Sequence, residues 1–324
     1  KNTAVGNSAG YNNVTGTQNT WVGWRAGKGG TGNNSYNTGV GSDALVSIES
    51  GGSNVAVGSR AGDALTTGGS NVFIGDDSGT STTDVDNVVI IGKNAGQGNI
   101  TSAADGTVAI GYASLLSLTS GIGNVAVGSG SMAKLTTGDY NTALGTNALG
   151  THLDGVKNIA IGYGAMQDTD AGTTSDGSFE NVFIGYLAGG GTWANAGSSD
   201  NTAVGARSME GALNACNDNV ALGTYTLQSM TGGYGNTALG YNAGQANLTG
   251  DYNVFVGNNC GDAATDVDNC VAIGSLAMSA VATQDGTIAI GASALTALTS
   301  GASNTAVGYT AGTALTIGRY NTVS

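Results

Sequence analysis

The 324-residue chain contains no proline, a single histidine and three cysteines. Without proline, a collagen-like or polyproline rod is excluded despite the high glycine content. One histidine, His152, leaves little for acid–base or imidazole–metal chemistry, and its place in a turn of the repeat described below predicts a surface side chain. Cys216, Cys260 and Cys270 include no Cys-x-x-Cys pair and cannot make a closed disulfide framework, so they are expected as small buried residues. Charge is also scarce, at 10% of residues, and unbalanced: 9 basic against 22 acidic side chains, net -13. That balance repels nucleic acid and anionic lipid. No apolar run approaches the roughly 18 residues of a membrane-spanning helix, so membrane insertion is not expected. There is no initiator Met and no signal-peptide pattern, which suggests a processed chain or a piece of one.

What is present is glycine, at 58 positions, and 40% apolar residues. Both are distributed periodically. An Asn-x-x-aliphatic-Gly unit recurs from Asn2 to Asn304, with a modal spacing of about 17 residues. Asn2 and Gly6, Asn54 and Gly58, Asn141 and Gly145, Asn236 and Gly240, and Asn253 and Gly257 show the pattern. Thr107 and Thr287 replace the Asn, and the units beginning at Asn87 and Asn269 read as carrying one extra residue before the glycine, which puts Cys270 at position 2. A longer period overlies the first. The stretch "NVFIGDDSGTSTTDVDN" from Asn71 corresponds to "NVFVGNNCGDAATDVDN" from Asn253, an offset of ten units, or about 182 residues. A block of ten units is read as duplicated, and the chain as a segment of a longer fibre.

Counting from the Asn, position 2 is Thr, Val, Ile or Cys and position 4 is aliphatic, so positions 2 to 4 predict a short strand of branched residues. Glycine at position 5 implies a corner with positive φ or close backbone approach. Thr-Thr-Gly or Thr-Ser-Gly further on marks a second turn. One such unit cannot bury its apolar side, whereas stacked units bury a continuous stripe. The expected fold is all-β: a parallel β-solenoid (β-roll) of about 18 rungs spanning 1–324 as a single domain, with neighbouring rungs about 4.8 Å apart. The glycine content and the absence of a 3.6-residue apolar period exclude helical repeats. Stacked Asn side chains are expected to form a ladder that satisfies turn backbone. Position 3, usually Ala, becomes Trp21, Phe73, Phe183 and Phe255. Apolar residues on both faces of so thin a coil predict that one face meets another chain, an identical subunit by preference.

The "NTAVG…AG…TG" and "NTALGYNAG" stretches resemble the repeats of trimeric autotransporter adhesin heads (YadA-like β-rolls). They resemble still more closely the repeats of bacteriophage and virus tail fibres. The resemblance covers essentially the whole chain, although autotransporter head repeats are typically shorter than the units found here. It implies a parallel homotrimeric fibre, outside the cell on a virion or cell surface, that displays a binding face to a host-surface glycan or protein. Two other readings stay open: a purely structural filament without a ligand of its own, and an ice-binding solenoid, disfavoured because Thr runs at position 2 are interrupted.

Catalysis is not expected, since nothing resembles a nucleophile–base pair or a phosphate loop. The hexapeptide helices of acyltransferases match "VGNSAG" but not the rest of a unit. Asp84 with Asp86, and Asp266 with Asp268, place paired carboxylates before a strand and are either solvated turn acids or oxygen ligands for Ca²⁺; no other cofactor is implied. Tyrosine follows the glycine at Tyr112, Tyr163, Tyr186, Tyr241 and Tyr309, where it either stacks on sugar rings or covers rung edges and interfaces. The longest units, from Asn158 and Asn181, are expected to project loops, and Phe179 with Trp193 on adjacent rungs is the expected ligand patch, near Tyr163 and Tyr186. The sequons at Asn13, Asn33, Asn99 and Asn247 matter only in a secreted eukaryotic context.

Overall fold

A computed structural model describes residues 1–169, 178–193, 197–280 and 285–324. The protein is all-β, a parallel β-solenoid in which equivalent residues of successive rungs lie about 17 positions apart. It divides into two compact units, Lys1–Lys157 and Asn158–Ser324. The first carries nine strands, from Thr3–Val5 to Thr142–Leu144, and the second ten, from Ile159–Ile161 to Thr322–Val323. Every strand but the last has three residues, and within each unit each pairs in parallel with the strand one rung on. Among the described residues the only helical element is one 3-10 turn, Ser102–Ala104.

The pairing register places equivalent positions directly over one another: Val55 on Val72, Ala56 on Phe73, Val57 on Ile74. It also corrects two rungs. The strands there are Val89–Ile91 and Val271–Ile273, paired with Val72–Ile74 and Val254–Val256. Val88 and Cys270 therefore occupy the Asn position, and the extra residue lies before it. Asn87 and Asn269 take the left-handed conformation (φ 59° and 57°) found at the same point in other rungs, as at Tyr252 (φ 56°). Cys270 is at position 1, not position 2.

Position 5 shows why glycine is required. Gly58 has φ 141°, and a Cβ built there would lie 2.3 Å from the carbonyl oxygen of Gly75 on the next rung. Stacking at strand spacing leaves no room for a side chain at that corner.

The Asn column forms a ladder within each unit, interrupted at Val88 and Thr107 in the first and at Cys270 and Thr287 in the second. Asn54 N–H donates to Asn37 Oδ1 (2.9 Å), and Asn71 N–H to Asn54 Oδ1 (3.0 Å), while Asn54 Nδ2 donates to the Gly68 carbonyl (2.9 Å). The second unit repeats this through Asn201, Asn219, Asn236 and Asn253. Each amide thus bridges a strand start to its own rung's far turn and to the next rung, and nearly all are fully buried. Because the groups are buried, these bonds are costly to lose.

Position 3 points inward. From Trp21 onward its side chains are fully buried, while positions 2 and 4 face out. The core is completed by positions 8, 9 and 12. Position 9 lies in the left-handed region throughout, and its identity follows position 3. Trp21, Phe73, Ile90, Phe183 and Phe255 share their rungs with Gly27, Gly79, Gly96, Gly189 and Gly261. Ala109, Ala126, Ala221 and Ala289 share theirs with Leu115, Met132, Leu227 and Leu295. A Cβ at Gly261 would stand 2.4 Å from the Phe255 ring, and one at Gly79 2.4 Å from Phe73. A large residue at position 3 thus goes with glycine at position 9, but not the converse: Ala56 and Ala238 share their rungs with Gly62 and Gly244, which make room for Phe73 and Phe255 of the following rung.

His152 is a second correction. It sits at position 12, the column of Ile48, Leu65, Leu118 and Leu135, and is fully buried instead of lying on the surface. Asn247 occupies the same column, also buried, so its sequon is inaccessible in the folded chain. In the unit that begins at Asn87, the added residues fold into the rung: Ile100 and Ala104 are buried.

Candidate functional site

Three surface features follow from this geometry. The largest is the outward face of the strands. Positions 2 and 4 carry Val, Ile, Leu and Thr on every rung, and position 4 is exposed at Leu144 (49%), Leu239 (48%), Val57 (38%) and Ile273 (38%). Within each unit these side chains form two parallel columns on a flat sheet. Exposed apolar area of that extent on regular structure makes this face a candidate interaction surface. The Thr hydroxyls of another column, near position 13, are turned to the protein: Thr66, Thr119 and Thr136 donate to the carbonyls of Thr83, Thr136 and Leu153.

The second feature is aromatic. Tyr163 and Tyr186, at position 6 of successive rungs, stack at 5.6 Å with 16° between ring planes, and both are half exposed. The Arg207 guanidinium lies 5.8 Å from the Tyr186 ring. Tyr225 and Tyr241 continue the stripe edge to face at 5.9 Å. A polar track runs beside it: Arg207 pairs with Glu210 (3.3 Å), Gln228 Nε2 donates to Glu210 (2.8 Å), and Gln245 Nε2 donates to Gln228 (2.9 Å). Rings that present a face, next to fixed amide and carboxylate groups, suit a ligand with an apolar face and hydroxyl edges.

The Phe179–Trp193 patch is not formed. Phe179 is exposed, but Trp193 is 1% exposed, packs against Phe183 at 5.7 Å and donates Nε1–H to the Gly189 carbonyl (3.0 Å). A Cβ on Gly189 would meet the Phe183 ring at 2.5 Å, so that glycine makes room for the phenylalanine, and the indole packs beside the ring in the core. Parts of the two long units, 170–177 and 194–196, lie outside the described residues.

The third feature is acidic. Asp86 Oδ1 accepts from Gly69 N–H (2.6 Å), and Asp84 Oδ1 from Ser102 N–H (3.2 Å). Asp268 Oδ1 accepts from Asp251 N–H (2.7 Å), and Asp266 Oδ1 from the Thr249 hydroxyl. These carboxylates tie rung to rung, and the same link recurs where Asp251 and Asp285 accept from Tyr234 and Asp268. Among the described residues no three His, Cys, Asp or Glu side chains gather as a metal site. The three thiols are buried and reduced. Burial pushes Cys216 and Cys270 up to about 11 and Cys260 to about 12, far from a reactive thiolate.

Asp63 and Asp262 occupy equivalent points, position 10 of their rungs. One oxygen of each is buried without a hydrogen-bond partner, and loss of water raises both carboxyls above the ordinary 3.8. A raised folded value means the native state holds its proton longer than the unfolded chain. The stability this carries is present in acid and declines as pH rises through the folded value. Asp262→Asn is therefore expected to be more stable than the parent at neutral pH, with the gain vanishing as pH falls to 3.8. Thermal melts across that range check it. An equal gain at both ends excludes titration as the cause.

No helix among the described residues is long and apolar enough to cross a membrane. Comparison with known proteins finds no matching family model and no similar curated protein.

Proposed function

We propose that this chain is the shaft of an extracellular fibre, built from three identical chains packed through their position-2 and position-4 faces, with the tyrosine stripe turned to a host-surface glycan or protein. The observation that carries the reading is the unpartnered aliphatic face. It repeats every rung, at about 4.8 Å, and a surface with the same spacing meets it in register along its length. A second copy of the chain has that spacing. The resemblance of the repeats to fibre and adhesin heads supplies the number three and the extracellular setting. The alternative, a purely structural filament, keeps the same interface and dispenses with the ligand.

Two lysines on the face separate assembly from folding. Leu222→Lys with Leu239→Lys puts charges on adjacent rungs at positions that are already solvent-facing in the single chain. The expected result is a chain of 31.5 kDa in sedimentation, with its β signal retained. If the variant sediments as the parent does, the face is not the interface.

A further inference from the structure

A separate site lies in the first unit, on the side of the rung away from the strands. The segment Lys28-Gly29-Gly30 crosses positions 10 to 12, where the next two rungs carry Val46-Ser47-Ile48 and Asp63-Ala64-Leu65. Gly29 has φ 27°, and a Cβ there would lie 2.0 Å from the Ile48 carbonyl oxygen, while one on Gly30 would lie 2.9 Å from Glu49 Cγ. The two glycines let the next rung close against this segment, and beside them lies a groove of about 470 Å³ walled by Asn12, Arg25, Lys28, Ser47, Glu49 and Thr66. That volume suits a small polar ligand of one or two rings.

The wall carries two basic side chains, Arg25 and Lys28, and one acidic, Glu49. Arg25 Nε donates to Asp43 (2.6 Å), and its guanidinium lies 4.0 Å from the centre of the Trp24 ring. Those two contacts hold the group in place at the groove wall, where it is a pre-organised donor for a planar carboxylate. Lys28 makes no ion pair among the described residues. Trp24 is half exposed and meets the groove through the Arg25 guanidinium that lies over its ring. The setting favours an anion here and not in the second unit. Seven of the nine basic residues lie in the first unit with ten of the 22 acidic ones, a net of -3, against -10 for the second. The overall -13 still disfavours polyanions, so one charge on a small body fits better than a sulfated chain.

We propose that this groove binds a sugar carrying a carboxylate, with Lys28 and Arg25 on the acid group and Asn12, Thr66 and Glu49 on hydroxyls. The site lies within one unit, so it stands whether or not the chain assembles as proposed above.

Trp24 reports on it through Arg25, whose guanidinium lies over its ring, while Trp21 and Trp193 are buried. Tryptophan fluorescence of the full chain is titrated with glucuronic acid, N-acetylneuraminic acid, glucose and inorganic sulfate. A saturable change is expected with at least one acidic sugar, at least tenfold weaker binding of glucose, and about a tenfold loss in Lys28→Gln, the order expected for one charge-assisted hydrogen bond. Lys28 is on the surface, so that variant folds. Glucose binding equally well, sulfate binding as tightly as the best sugar, or no saturable change with either acid would each overturn the proposal.

Discussion

Gly261→Leu is expected to destabilise the second unit by at least about 3 kcal/mol, and Phe255→Ala by about 3–5 kcal/mol, yet the two together are expected to recover most of the loss. The first substitution drives a side chain into the Phe255 ring, since even a Cβ would stand at 2.4 Å. The second leaves a cavity where a fully buried ring had been. Combined, they convert the rung to the Ala–Leu filling already used by Ala221 with Leu227 and Ala289 with Leu295. Leucine at position 9 takes φ near 50° in those rungs, as at Leu227 (47°) and Leu295 (53°), so the backbone of Gly261 (59°) needs no rearrangement. Left-handed strain of about 1–2 kcal/mol is the part that recovery leaves behind. Urea unfolding of the four proteins gives the coupling energy. Additive losses would mean that the large–small correspondence is not a packing rule.

The second large effect is at the Asn ladder. Asn236 Oδ1 accepts from Asn253 N–H and Nδ2 (3.0 Å each), and its own Nδ2 donates to Gly250 O (2.8 Å) and Asn219 Oδ1 (3.0 Å). Asn236→Ala strands the Asn253 amide in the interior and leaves the Gly250 carbonyl only the longer bond from Asn247 Nδ2 (3.4 Å), at up to about 1–3 kcal/mol for each group. A total loss of about 2–6 kcal/mol is expected. Asn236→Thr should cost less, because Thr107 in the same column still reaches the Gly121 carbonyl with its hydroxyl (3.4 Å). Hydrogen exchange at Asn253 localises the effect: its amide is expected to lose protection in the Ala variant. Unchanged exchange there would show that the ladder bond carries no stability.

These two columns also show what the sequence makes visible. The period is readable because its causes repeat on every rung. Position 5 admits only glycine when another carbonyl lies where its Cβ would be, and the Asn amide has both a donor and an acceptor to satisfy. The direction of the strand faces is not readable from residue type, because Val, Ile and Ala are apolar on either side. Rung volume decides it: position 3 shares a narrow interior with positions 9 and 12, so Phe255 requires Gly261, whereas Val254 and Val256 have no such constraint. The same narrowness explains the misplacements. Trp193 reads as a loop aromatic until it is seen packed on Phe183 with its indole N–H on the Gly189 carbonyl. His152 reads as a turn residue until the register puts it in the Leu65 and Leu135 column. Val88 and Cys270 are displaced by one residue in the sequence reading because Asn87 and Asn269 imitate the ladder residue. In the structure they take the left-handed position before it. The tyrosines need three dimensions for another reason. Tyr163 and Tyr186 are far apart in sequence and stack only because the rung between them is longer than the modal repeat and still closes in register.

If the aliphatic strand face is buried between copies of the chain, the mass of the native particle reveals it. Light scattering gives that mass, and negative-stain imaging gives the shape. A discrete particle of three times the 31.5 kDa chain mass is expected. A monodisperse particle of 31.5 kDa, stable at high concentration with its face in solvent, would contradict it.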